Sequence, residues 1–266
     1  MLKGDIRELN QTYASPVEYE LCLTTQSEPV NTWIGREVHI EFTGVRRCIA
    51  CGRTAKKLFQ NGYCFPCVTS LAECDLCIVK PHECHYHQGT CRDETFAKTH
   101  CMIPHYVYLA WSSGFKVGLT RKGRQLKRWM DQGATAAVVI AEAPTRKQAG
   151  ELEMEIAKFM PDKTDWRKML KEESRPETTL HALREQVIER LDRAYHSFLI
   201  EDEAQAYEFE YPRSPSFQVS LKSINLDKSP IFTGTLFGIK GQYLLFDTGV
   251  LNVKKYGGYE VVIDVS

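Results

Sequence analysis

The chain has 266 residues, 43% of them hydrophobic and 26% charged, an ordinary globular balance that excludes disorder throughout. Lys+Arg and Asp+Glu both number 34, so the zero net charge does not advertise nucleic acid, and any case for such a partner has to be local. No apolar run approaches the roughly 18 residues that cross a bilayer, and "MLKGDIRELN" lacks the apolar core of a signal peptide, so a cytoplasmic protein without a membrane partner is expected.

Residues 17 to 43 alternate apolar and polar in "VEYELCL" and "REVHIEFTG", the period of half-buried strands, and predict a β segment over 1–45. A cysteine-rich region follows at 46–104. Residues 105 to 141 read as a hairpin, a short helix around "RQLKRWMDQ" and a third strand "AAVVIA". Pro144 and a Thr145 cap then open a helix to residue 160, with Ala149, Leu152, Ile156 and Met160 on its apolar stripe. A helical extension and the acidic "IEDEAQAYEFE" fill 161–210, and "YPRSPS" reads as a linker. The tail, 211–266, has glycine turns between short apolar runs, as a small antiparallel sheet or barrel would. The fold class expected from this pattern is α+β.

Nine of the ten cysteines fall between residues 48 and 101. Where thiols stay reduced, such clustering points to metal before disulfide. Cys48, Cys51, Cys64 and Cys67 form two CxxC pairs, whose turns aim four thiolates at one tetrahedral ion. A closed structural zinc site is expected there. Cys74 and Cys77 open a second site with more candidates than one tetrahedron needs, among them Cys84, Cys91, Cys101, His85, His87 and His100. The preferred set is Cys74, Cys77, Cys91 and Cys101, with Cys84 or His87 as substitutes. Zinc is the expected occupant, with an iron–sulfur cluster or no metal as the alternatives.

In "HYVYLAWSSGFKVGLTR" side chains alternate, so Tyr106, Tyr108 and Ala110 share one strand face and Lys116, Gly118 and Thr120 share one face of the next. A three-residue loop Ser112, Ser113, Gly114 pairs Ala110 with Lys116 and sets Tyr108 opposite Gly118, bringing both faces together. In the later helix Glu153 lies on the apolar stripe, where a carboxylate either binds a cation or pairs with a buried arginine. Arg128 lies opposite the Leu126, Trp129 and Met130 side of its helix. Acid-free basic runs span 46–57 and 116–128, the second holding Arg121 and Arg124.

"YVY", then "KVG", then "KRW" in a helix, then a glutamate in a later helix resembles the GIY-YIG nuclease superfamily over residues 105–160. Lysine takes the place of the second tyrosine. The whole chain is also similar to an uncharacterised prokaryotic family with a cysteine-rich region and "DQGA". The nuclease resemblance implies phosphodiester hydrolysis with one divalent cation, Mg2+ or Mn2+. By that resemblance Tyr108 helps to deprotonate water, Arg128 steadies the phosphate and Glu153 holds the cation. Lys116 adds charge, orients water or lowers the pKa of Tyr108. Tyr106, Thr120, Arg121 and Arg124 are the expected substrate contacts, and DNA or RNA the expected partner. Two departures are a short link at 109–115 and no match to the asparagine often found beyond the glutamate. A non-catalytic zinc protein binding RNA or a ribosome, and a metal or redox sensor, are the alternatives from other classes.

Overall fold

The computed structural model describes residues 1–171, 178–200, 205–215 and 220–266. Parts of the acidic stretch and of the expected linker, at 201–204 and 216, lie outside the described residues. Twelve strands and six α-helices are assigned among the rest. In chain order they are β1 (Leu2–Thr12), β2 (Glu18–Leu23), β3 (Ser27–Pro29), β4 (Glu37–Arg46), α1 (Phe65–Ser70), α2 (Glu94–His100), β5 (His105–Trp111), β6 (Phe115–Arg121) and α3 (Gln125–Asp131). Then come β7 (Ala136–Ala143), α4 (Arg146–Ile156), α5 (Trp166–Leu170), α6 (Leu180–Arg190), β8 (Tyr207–Glu208), β9 (Ile231–Lys240), β10 (Tyr243–Phe246), β11 (Val250–Asn252) and β12 (Tyr259–Val265). The fold is α+β, and every pairing between these strands is antiparallel.

The chain divides into two compact units. One combines Met1–Thr69 with Glu210–Ser266. Its sheet has the order β11-β10-β9-β4-β12-β1-β2-β3, so the two terminal β segments, separate in sequence, interleave in one sheet. The sheet keeps two edges, β11 and β3, and does not close into a barrel. Val38, Ile40 and Phe42 of β4 and Val261 and Ile263 of β12 alternate into its core.

The other unit, Ser70–Phe209, is built on the sheet β6-β5-β7-β8. Between β5 and β6 the loop is Ser112, Ser113, Gly114; the Ser112 N–H donates to the Gly114 carbonyl at 3.2 Å, and Gly114 takes φ +140°. Ala110 faces Lys116 and Tyr108 faces Gly118, the register expected of that loop length. Val107, Leu109, Val117 and Leu119 alternate to the opposite face and join Ala149, Leu152 and Ile156 of α4 and Leu183 and Val187 of α6 in one core. Thr145 caps α4 by accepting the Gln148 N–H. The helix ends at Ile156, four residues short of expectation, because Lys158 and Phe159 bond carbonyls only three residues back and Pro161 follows. Met160 still reaches the core from this tightened turn.

Candidate functional site

The first cysteine site grows out of the end of β4. There the Arg47 N–H donates to the Gly258 carbonyl at 2.7 Å and the Cys48 N–H to the Arg53 carbonyl at 2.9 Å, folding the chain into a knuckle. A second turn at Phe59–Tyr63 returns Cys64 to Cys48. The ligand atoms of Cys48, Cys51, Cys64 and Cys67 all lie within 4.8 Å of one another, and those of Cys51 and Cys64 are 3.7 Å apart. Burial pushes the Cys48 thiol up, but hydrogen bonds from the Cys51, Cys64 and Ala50 backbone and the Cys64 side chain outweigh it, lowering the thiol to about 6. Cys67 is raised, first by its hydrogen bond with Cys64 and then by burial. One thiolate forms readily and discourages the next, a balance that a cation reverses by making all four anionic. These four residues can hold a metal ion such as zinc, as their spacing predicts.

Two glycines that carry no chemistry make this knuckle possible. A Cβ on Gly258 would lie 2.0 Å from the Arg47 carbonyl oxygen, and one on Gly257 2.4 Å from that of Asn61. The sequence marks them only as "YGGY", far from the cysteines.

In the second cysteine region Cys77, Cys84, Cys91, Cys101 and His85 line one recess. Cys74 and His87, both named as expected ligands, are not among its lining residues. Cys74 is buried and His87 exposed. His85 comes close to Cys77 and Asp75, their ligand atoms lying within 4.8 Å of one another. Asp75 also binds Arg92 at 2.8 Å and His85 at 3.5 Å.

The third group gathers Tyr108, Lys116, Arg128 and Glu153. Tyr108 is fully buried on β5, packs edge-on against Trp129 at 5.7 Å between centroids, and donates through Oη to Gln132 Oε1 at 2.8 Å. Its ring lies across β6 because Gly118 has no side chain; a Cβ there would meet Oη at 2.5 Å. Arg128, exposed on α3, also bonds the phenol oxygen. Burial raises the Tyr108 phenol above its ordinary value despite Arg128, so the expectation that a neighbouring lysine lowers it is corrected.

Lys116 is 4% exposed and donates to Thr164 Oγ1 at 3.2 Å. Burial, then repulsion by Arg128, brings its ammonium down to about 8 against the pull of Glu153 and Asp162. Glu153 is half-buried on α4, which packs beside edge strand β6. Burial raises its carboxyl, while Arg128 and Lys116 oppose the rise and Asp162 adds to it. Among the described residues no ion pair closes on it. Desolvation is the leading influence on Arg128 too, yet its attraction to Tyr108, Asp131 and Glu153 leaves it raised.

Of the remaining expected contacts, Tyr106 and Thr120 pair in register two residues along the strands from Tyr108 and Gly118. Arg121 alternates to the other face, where it acts electrostatically on Cys101, and Arg124 is exposed ahead of α3. Gln132, Asp162 and Thr164 join the group without having been expected. Only Gln132 has a sequence signal, the "DQGA" quoted for the family resemblance. No helix among the described residues is long and apolar enough to cross a membrane.

Comparison with curated proteins and with solved structures found no match. The profile described as a protein of unknown function (DUF2797) matches residues 35–261, which is most of the chain, and the protein therefore belongs to the DUF2797 family.

Proposed function

We propose that this protein is a zinc-containing hydrolase of phosphodiester bonds in DNA or RNA, related in its chemistry to GIY-YIG nucleases. The observation that carries the reading is Glu153. It is a carboxylate held in a desolvated place, facing Lys116 and Arg128 but closed by neither, with Asp162 near enough to repel it. A carboxylate pushed toward protonation by a second one nearby suits a divalent cation, and Mg2+ or Mn2+ needs no more than one or two. When bound, such an ion supplies Lewis acidity to a phosphate oxygen and to water.

The chain's own groups divide the remaining work. Arg128, exposed and charged, grips the phosphate and stabilises the charge that grows during attack. Lys116, brought to about 8, is the group whose proton can leave near neutrality, so it takes the role of base that the resemblance gave to tyrosine. Tyr108 stays protonated and fixes Gln132 and Arg128 by its two hydrogen bonds.

The test is cleavage of single- and double-stranded DNA and RNA with Mg2+ or Mn2+, comparing the wild type with Glu153→Gln. The expected loss is at least about a hundredfold, with zinc content and circular dichroism unchanged. Equal cleavage by the variant would remove Glu153 from the chemistry. Salt-sensitive binding by the wild type without turnover under either cation would instead assign a non-catalytic binding protein.

A further inference from the structure

Residues 70–104 fold without a conventional core. The buried residues among them are Ala72, Cys74, Cys77, Pro81, Cys84, Ala97 and Cys101, with no branched aliphatic or aromatic side chain. Leu76 and Val79 point outward, 54% and 74% exposed. The backbone consists of single 3-10 turns at Ala72–Cys74, Leu76–Ile78, Pro81–Glu83 and Tyr86–Gln88, followed by the seven-residue α2. Burying alanine and proline drives little folding, and a segment of this kind needs a cross-link.

All ten cysteines are free thiols, so the link is not a disulfide. Cys77, Cys84, Cys91 and Cys101 surround one recess. Arg146 looks toward it: its charge acts on Cys101 and Cys77, its Nη2 donates to the Ile78 carbonyl at 2.6 Å, and its buried Nε has no partner among the described residues. Among the described residues that guanidinium has the Ile78 carbonyl as its acceptor and closes no ion pair. Four thiolates on a divalent ion, whose net charge is negative, would give it a counter-charge.

We infer that Cys77, Cys84, Cys91 and Cys101 hold a second zinc ion, in a closed structural site independent of the hydrolase reading. Asp75 is an outer partner of this site, already engaged by Arg92, His85 and the Cys77 amide. The ion braces more than its own loop. Gly150 of α4 lies against the turn at Pro81–Glu83 so closely that a Cβ would be 2.6 Å from Pro81 Cβ, and the Arg146 N–H donates to the Cys101 carbonyl at 2.8 Å. The metal turn therefore seats the helix that bears Glu153.

The test is zinc per chain, by elemental analysis of the full-length protein purified without chelator, and the thiolate-to-metal absorbance after cobalt exchange. Two zinc ions are expected in the wild type, one in Cys84→Ser or Cys91→Ser, and two in Cys74→Ser. To separate metal loss from misfolding, Cys48→Ser/Cys51→Ser gives the complementary reading, retaining one ion, and Cys84→His should keep two with an altered cobalt spectrum. One zinc in the folded wild type, none in the Cys48/Cys51 double variant, visible iron absorbance, or loss from Cys74→Ser with retention in Cys84→Ser would each overturn the assignment.

Discussion

In the proposed reaction Lys116 decides what the Tyr108 group can do, because the fold places an ammonium where water is scarce and Arg128 repels it. A base must lose its proton before the rate-limiting step, so turnover should rise with pH and level off above about 8, the value set by burial. Lys116→Met should remove that rising limb, and a pH–rate profile of both proteins checks it. Stability carries the same sign. The unfolded lysine titrates near 10.5 and the folded one near 8, so the unfolded chain holds more protons between these values and stability increases with pH across them. Tyr108→Phe should keep the ring's packing on Trp129 but leave Gln132 Oε1 without its phenol donor and remove an acceptor from Arg128. A loss of about 1–2 kcal/mol in urea unfolding is expected. The shared strand face of Tyr108 and Lys116 and the helix position of Glu153 were legible in the sequence because strand alternation, a glycine-ended loop and an acid on an apolar stripe are local patterns. Asp162 and Thr164 were not, since each reaches the group from a loop by tertiary approach alone, and "DQGA" marked Gln132 without placing it beside Tyr108.

At the scale of elements, the metal knuckle depends on backbone contact as much as on thiols. Gly258 takes φ +81° and lies under the Arg47 carbonyl, whereas a Cβ on Gly44, at φ +88°, would meet nothing within 4 Å. Gly44→Ala should therefore cost about 1 kcal/mol, the conformational strain alone. Gly258→Ala adds a collision with backbone that cannot rotate away, so its loss should be clearly larger and be accompanied by faster release of zinc to a chromogenic chelator. Equal effects of the two substitutions would detach Gly258 from the knuckle. The β1 strand shows why such relations escape a reading by period. Its apolar alternation is broken by the buried Asp5, which Arg47 neutralises at 2.6 Å, and by a register shift between Ile6 and Glu8. Here a long-range ion pair supplies what the local pattern lacks, and the longest strand of the sheet is covered only by the general β expectation for 1–45, without a period of its own. Arg46 and Arg47, read as part of a basic run, are likewise committed within the fold, Arg46 to Asp227 and Arg47 to Asp5 and Glu260.

For the whole molecule the governing fact is that β12 lies between β4 and β1, so the first and last strands of the sheet-forming sequence stabilise one another. Ile263 is 2% exposed and stands in register with Leu2 on one side and Ile40 on the other. Ile263→Asp would bury an unpaired carboxylate at this junction, at a loss of more than about 4 kcal/mol. No strand pairing among the described residues joins this sheet to β6-β5-β7-β8, and each sheet belongs to its own compact unit. Hydrogen exchange should therefore quicken at β1, β4 and β12 in the variant while amides of β5, β6 and β7 keep their protection. Uniform loss across both sheets would show that the chain unfolds as one cooperative body, and the terminal strands would then act on the Tyr108 group through stability alone.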